Sequence, residues 1–260
     1  MAKWTGHLLD DVVATDRHPA GRDTTGDATF RLLSPAGYSL WMVHIRLADG
    51  AGLNWATPRS DDVVYVLDGE VEIDGRTCEA GGAAIVERSA TTELRARGPA
   101  EIAHFGSDDP APPIDGPLGA PDGPGTAVHV YGPDGAFISG DREGVHAVWF
   151  ADGTCPTCRV QLLEVTSPPT DEPHGKPHTH SADEIIYLLD GTVKLGSFAY
   201  GPGSALSIPG DVRYSLVGDR DGHRFINFRR DVSWQVYGRD GEPLLETAIA
   251  RGGRATGDVR

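Results

Sequence analysis

Apolar residues in this 260-residue chain come in short runs rather than in helical stripes. Segments 38–47, 63–67, 71–73, 83–86 and 101–105 are each rich in aliphatic, β-branched or aromatic side chains, and so are 145–150, 159–165 and 184–189. Runs of that length and composition read as strands. Asp49-Gly50, Asp68-Gly69, Asp74-Gly75, Gly81-Gly82 and Asp190-Gly191 punctuate them, and such dipeptides favour tight turns between antiparallel strands. The exception is 243–251, which predicts a short helix stopped by Gly252-Gly253. With 34 Gly and 19 Pro, the expected class is all-β, made of many short strands.

The pattern repeats. Shifted by 122 residues, Asp62-Val63-Val64-Tyr65-Val66-Leu67-Asp68-Gly69 falls on Glu184-Ile185-Ile186-Tyr187-Leu188-Leu189-Asp190-Gly191 without a gap. Gly81 falls on Gly203, Ala83 on Ala205, Val86 on Ile208 and His7 on His129. The chain therefore divides into a first copy at 1–106, a Pro/Gly-rich linker at 107–126, a second copy at 127–238 and a tail at 239–260.

The second copy carries the chemistry. In an extended segment His178 and His180 point to the same face, close enough for both imidazoles to reach one ion. Ser181-Ala182-Asp183 has turn chemistry, and Glu184 opens the next apolar run. Two imidazoles and a carboxylate suit a divalent transition metal with positions left open. The run from His178 to Gly191 resembles the first motif of the cupin superfamily: His-x-His, three residues, Glu, six residues, Gly. Gly203 and Pro209 resemble the second motif, but Tyr214 stands where that motif has its last histidine, and Gly210 comes one place early.

The resemblance implies two tandem jelly-roll barrels, a bicupin, in which only the second keeps the metal motif. It implies His178, His180 and Glu184 as ligands. Tyr214 is a fourth ligand, an acid or base beside the ion, or a pocket wall, and Tyr214 and Glu184 are the catalytic candidates. The implied cofactor is one divalent metal, Fe(II) first, with Mn, Ni or Zn as alternatives. Dioxygenase chemistry on a small organic substrate is the first expectation. Metal-assisted lyase, isomerase or hydrolase chemistry is the second, and non-catalytic small-molecule binding the third. A homodimer is expected by the same resemblance.

The first copy has Ala56, Pro58 and Asp62 at the three ligand positions; it is expected to hold no metal, with Asp62 as a solvated residue. His44 and His104 read as hydrogen-bonded core histidines. His174 and His223 are imidazoles near the motif, with His223 or Asn227 as alternative sources of a fourth ligand. Arg159 and Arg213 are candidate partners for a substrate carboxylate, and Ile186 and Leu188 should point into the pocket. Cys78 reads as a buried apolar residue. Cys155-Pro156-Thr157-Cys158 reads as a turn that carries two thiols, with a redox pair or half a zinc knuckle as the functional options. Net charge is -15, which argues against nucleic acid as a partner. Neither a signal core nor a spanning apolar run is evident, so a cytoplasmic protein acting on a small molecule, without membrane partners, is expected.

Overall fold

The computed structural model describes residues 4–56, 59–140, 144–169 and 176–256. Within them the fold is antiparallel β-sheet, with a single short 3-10 turn at Leu9–Asp11. None of the described helices is long and apolar enough to cross a membrane. In the first half a six-stranded sheet runs Val128–Tyr131, Ala83–Val86, Asp62–Asp68, Ala100–Ser107, Leu40–Leu47, Ala28–Leu32. A five-stranded sheet of Asp23–Thr25, Gly52–Trp55, Thr92–Ala96, Glu70–Ile73 and Arg76–Glu79 accompanies it. In the second half a nine-stranded sheet is built around Glu184–Leu195, Leu216–Arg229 and Gln161–Ser167. A three-stranded sheet holds His178–His180, Trp234–Tyr237 and Leu244–Leu245.

The repeat appears as a reciprocal exchange. Thr5–Leu8 pairs with Ser204–Ile208 in the second half, with His7 opposite Ala205. Its counterpart Val128–Tyr131 pairs with Ala83–Val86 in the first half, with His129 opposite Ile85. Each copy gives its first strand to the other copy's sheet.

Strand alternation explains why the repeated run is apolar throughout. Val64 and Val66 face the first half's own core with Phe30, Trp41 and Leu53, while Val63 and Tyr65 face a second core that both halves share. Likewise Ile185 and Tyr187 enter the shared core, and Ile186 and Leu188 a third cluster with Leu206 and Phe225. A strand buried on both faces loses its polar face. Across the shared core Phe105 stacks on Phe228 at 5.3 Å, and Tyr65 meets Phe150 edge-on at 5.7 Å. The segment read as a linker is laid against both halves: Asp122 N donates to Pro156 O at 2.6 Å, and Arg159 reaches Gly119 O and Ala120 O.

Three expectations are corrected. Asp190-Gly191 is a bulge inside a continuous strand, not a hairpin turn: the register slips between Leu188 and Asp190 and again between Gly191 and Val193. Gly191 has φ +71°, and a Cβ there would lie 2.2 Å from Gly222 O. Residues 243–251 form a short strand, Leu244–Leu245, followed by turns. Glu246, which follows that strand, is buried, as described below.

The third correction is Asp62, which is fully buried rather than solvated. Arg22 grips it with two hydrogen bonds of 2.6 Å. Trp55 Nε1 donates at 2.9 Å, and His104 Nε2 lies 3.2 Å away, with His18 behind it. His44 is also buried, 3.1 Å from Glu101. Of the three positions aligned with the motif, Pro58 lies outside the described residues. Burial alone would raise the Asp62 carboxyl, but the interactions with His104 and Arg22 outweigh it and hold it below the ordinary 3.8. A carboxyl depressed in this way stabilises the fold above its unfolded value and loses that contribution as pH falls through it. Arg22→Met, which strands the carboxylate, should lower stability at neutral pH by about 3–5 kcal/mol in urea unfolding. The deficit should shrink as the pH drops below 3.8.

Candidate active site in the C-terminal half

A cavity of about 740 Å³ opens in the second half, with lining residues from both of its sheets. Trp149, Leu163, Ile186 and Phe225 make its apolar wall. His178, His180, Tyr214, Asn227, Arg229 and Glu246 make its polar end.

Local backbone structure draws the two motifs together. His178 N donates to Tyr214 O at 2.9 Å, and Tyr214 N returns the bond to His178 O at 3.0 Å. Asp211 N donates to His180 O at 2.7 Å, and Asp211 holds the left-handed conformation, φ +60°, at the tight turn. Gly210 N donates to Asp183 Oδ1 at 2.8 Å. The rings of His178 and His180 are 4.9 Å apart, and those of His178 and Tyr214 4.6 Å. The first half contributes as well: the Tyr38 hydroxyl donates to the carbonyl oxygens of Glu184 and Ile208.

Glu184 is buried, and both carboxylate oxygens are taken. Tyr214 Oη donates to Oε1, Asn227 Nδ2 to Oε2 at 2.7 Å, and Arg229 Nη2 to Oε2 at 2.8 Å. Arg229 Nη1 donates to Glu246 Oε2 at 2.7 Å, and Arg229 Nη2 lies 3.2 Å from His180 Nε2. His180 Nδ1 is 3.0 Å from Glu246 Oε2, and Arg251 reaches Glu246 Oε1 at 3.3 Å. Gln161 Nε2 holds the Glu246 carbonyl. Burial would raise both glutamates, but His180 and Arg229 hold Glu184 low, and Arg229 and His180 do the same for Glu246. Burial, then the Glu184 carboxylate, pushes the Tyr214 phenol well above 10, so Tyr214 is a neutral donor rather than a phenolate. His178 is pushed below 6.5, first by burial. Its Nδ1 lies 2.8 Å from Lys176 O. A carbonyl only accepts, so Nδ1 carries the proton and Nε2 is the free acceptor.

The donor types suit a transition metal, but their arrangement does not. Arg229 Nη2 engages the atoms of His180 and Glu184 that an ion would use. A guanidinium is permanently charged, and two cations crowded into a buried site repel strongly. Among the described residues the one group of three or more His, Cys, Asp or Glu whose ligand atoms all lie within 4.8 Å of one another is elsewhere: Glu87, His129, Cys155 and Cys158. With Arg229 where it stands, His178, His180, Glu184 and Tyr214 gather around the cavity's polar end but do not converge on an ion.

Other candidates separate. His223 lines the cavity and stacks on Phe225, and Asn227 serves Glu184. Ile186 reaches the cavity, whereas Leu188 is buried beside it without lining it. Arg159 is tied to Gly119, Ala120 and Cys155 carbonyls and Arg213 is exposed, so neither faces the cavity. His174 lies outside the described residues. Arg229 and Glu246 escaped the sequence reading. Arg229 closes the run Phe225-Ile226-Asn227-Phe228, where a charge in a buried strand was the available signal. Glu246 sat in an apparent helix.

No family model matches the chain, and no curated protein matches it. Solved structures do. Bacillus subtilis oxalate decarboxylase superposes with TM-score 0.62 at 14% identity, covering 89% of this chain and 78% of that one. Escherichia coli YlbA gives 0.65 at 14%, with 87% and 90% covered. A putative dioxygenase from Nostoc punctiforme gives 0.62 at 10%, with 88% and 83% covered. These neighbours are cupin-family proteins, and the chain shares their fold. The oxalate decarboxylase is described with Mn(II) centres.

If the guanidinium stands in for an ion, removing it should create a demand for one. Arg229→Met leaves Glu184 and Glu246 without their buried cation and should lose about 3–5 kcal/mol in the presence of chelator. Mn(II), which thiolates take poorly, should restore much of the variant's melting temperature and leave the parent protein unmoved. Thermal unfolding of both proteins with and without Mn(II) checks this.

Proposed function

We propose that the chain is a pair of fused cupin units whose second unit is an enzyme. In this reading it moves a proton on a small organic acid bound in the cavity, as a lyase or isomerase does. The observation that carries the reading is His178. Its Nδ1–H is fixed on Lys176 O, which leaves Nε2 unprotonated on a ring that lines the cavity. That is the form a general base needs. His178 Nε2 takes a proton from a carbon next to the substrate's carboxyl or carbonyl group. The C–H electron pair passes into an enolate that Lys176 or Arg251 can pair with, and the imidazolium returns the proton to the neighbouring carbon or to the departing group. Tyr214, Asn227 and Arg229 keep Glu184 anionic and immobile, so it does not compete for that proton.

Substrate recognition follows from what the walls lack and offer. Asn227 and Gln235 line the cavity, and among the described residues Asn227 Oδ1 and Gln235 Oε1 are buried acceptors without a donor. A hydroxyl or amino group on the substrate would satisfy them. Lys176 and Arg251 stand on the same cavity and suit a carboxylate, while the Trp149–Phe225 side takes an apolar body.

A second reading keeps a metal. The donor types at His178, His180 and Glu184, and the fold shared with an oxalate decarboxylase and a putative dioxygenase, favour Fe(II) or Mn(II) chemistry on a small acid. It requires Arg229 to leave its present position. A cytoplasmic setting and a homodimer complete the proposal by resemblance alone.

The two readings part in one experiment. Untagged protein is incubated in D₂O with a panel of small hydroxy and amino acids, with and without chelator, and deuterium incorporation is followed by NMR. Exchange that ignores the chelator and falls about 10²–10⁴-fold in His178→Gln supports the base. Turnover abolished by chelator and restored by Fe(II) or Mn(II) puts the metal reading first. Ligand binding without exchange or turnover reduces the protein to a binding module.

A further inference from the structure

Away from the cavity, four side chains with metal-binding chemistry meet. Cys155 and Cys158 sit on the loop between His146–Asp152 and Gln161–Ser167 of the second half. His129 lies on the exchanged strand Val128–Tyr131, and Glu87 directly follows Ala83–Val86 of the first half. One ligand atom from each lies within 4.8 Å of all the others. His129 Nε2 is 3.0 Å from Glu87 Oε1, and Cys155 Sγ is 3.7 Å from the same oxygen. Zinc bond lengths place tetrahedral N···O and S···O edges at about 3.3 and 3.6 Å. Two sulfurs, one nitrogen and one oxygen are a zinc-type donor set, and the C-x-x-C spacing lets one turn deliver both thiolates.

The carriers are held in place by the protein itself. Glu87 Oε2 accepts from Ala127 N at 2.9 Å, and Glu87 Oε1 from Thr157 Oγ1 at 2.5 Å. Arg88 Nη1 donates to Thr157 O at 2.7 Å, and Asp122 N to Pro156 O at 2.6 Å. Glu87 and Cys158 are each 2% exposed and His129 and Cys155 are half-buried; four protein ligands fill a tetrahedral zinc and leave no free position for substrate. Among the described residues no guanidinium occupies the centre, as Arg229 does in the cavity: Arg88 turns its guanidinium to the Thr157 and Gly123 carbonyls.

We propose that Glu87, His129, Cys155 and Cys158 bind one structural zinc ion. The ion staples three segments that the chain order keeps apart: the end of a first-half strand, the strand the second copy donates to that sheet, and a loop of the second half. Its role is to lock the reciprocal exchange. This site is independent of the reading of the cavity.

The test uses the full-length, untagged, reduced protein. Elemental analysis should find about one zinc per chain. It should persist in His178→Ala/His180→Ala and be lost in Cys155→Ser/Cys158→Ser. Replacement by Co(II) should give a thiolate-to-cobalt absorption band in the parent protein, weakened in His129→Ala. The melting temperature of the parent should fall when zinc is stripped and recover when it is returned. The parent protein carries its own refutation should the cysteine variant fail to fold. Absence of the cobalt–thiolate band after full reduction overturns the proposal. So does zinc content unchanged between the parent and the cysteine variant, or a Cys155–Cys158 disulfide that persists under mild thiol reductant and takes up no metal.

Discussion

A buried carboxylate must be given a cation, and both halves of this molecule are arranged around that demand. Leaving an ionised carboxyl alone in a low-dielectric interior costs several kcal/mol. The repeat puts an acid at the same place twice, Asp62 and Glu184, and each is buried. Each is met by an arginine, but the arginines are not repeat partners. Arg22 comes from the chain ahead of Asp23–Thr25, and Arg229 from the end of Leu216–Arg229. The position of the acid is common to the two copies, and the solution to its charge differs. This suggests that the demand lies in the acid's position, with whichever segment can reach it supplying the guanidinium.

That choice governs what the second half can do. Arg229 is shared between Glu184 and Glu246 and Arg251 also pairs with Glu246, so two guanidinium groups offset the two carboxylates at the polar end of the cavity without any added ion. The shared core then fixes the frame. Val63, Tyr65 and Phe105 from one half interleave with Phe150, Ile185 and Phe228 from the other, and each half completes its sheet with a strand from its partner. Tyr38, a first-half residue, reaches across to the Glu184 and Ile208 carbonyls. The first half is therefore part of the candidate site's support, although none of its described residues joins the cavity wall.

Strand content and repeat were legible because they rest on local chemistry: apolar runs, Gly-containing breaks and an ungapped match. Strand periodicity and motif spacing act over few residues, and they account for His178, His180 and Tyr214 lying at one cavity end with Glu184 hydrogen-bonded to Tyr214. Charge partners were not legible, because they are tertiary. Nothing within several residues of Asp62 announces Arg22, and Glu246 looked helical because Pro243-Leu244-Leu245-Glu246-Thr247-Ala248 has a helix former at most positions. Asp190-Gly191 has the chemistry of a hairpin turn, and only the neighbouring Gly222 backbone decides that it becomes a bulge instead. Cys155 and Cys158 read as half a site because the other two side chains come from elsewhere, His129 on an exchanged strand and Glu87 at the end of a first-half strand, a topology no local pattern encodes.

Among the described residues, two amides on the cavity wall each keep an oxygen without a donor. Asn227 is oriented by its bond to Glu184, which directs its nitrogen to the carboxylate and leaves Oδ1 without a donor. Gln235, another cavity-lining residue, has a second such buried oxygen among the described residues. An unpaired buried acceptor costs about 1–3 kcal/mol, so a ligand that brings a donor to either oxygen recovers that cost, and an isostere without one does not. Discrimination of this kind exceeds what an apolar wall achieves by size alone, since one methylene is worth only about 1–3 kcal/mol in the best case and two orphaned acceptors act together. The Glu184 carboxylate, itself held by Arg229, fixes the orientation of an amide that could otherwise flip.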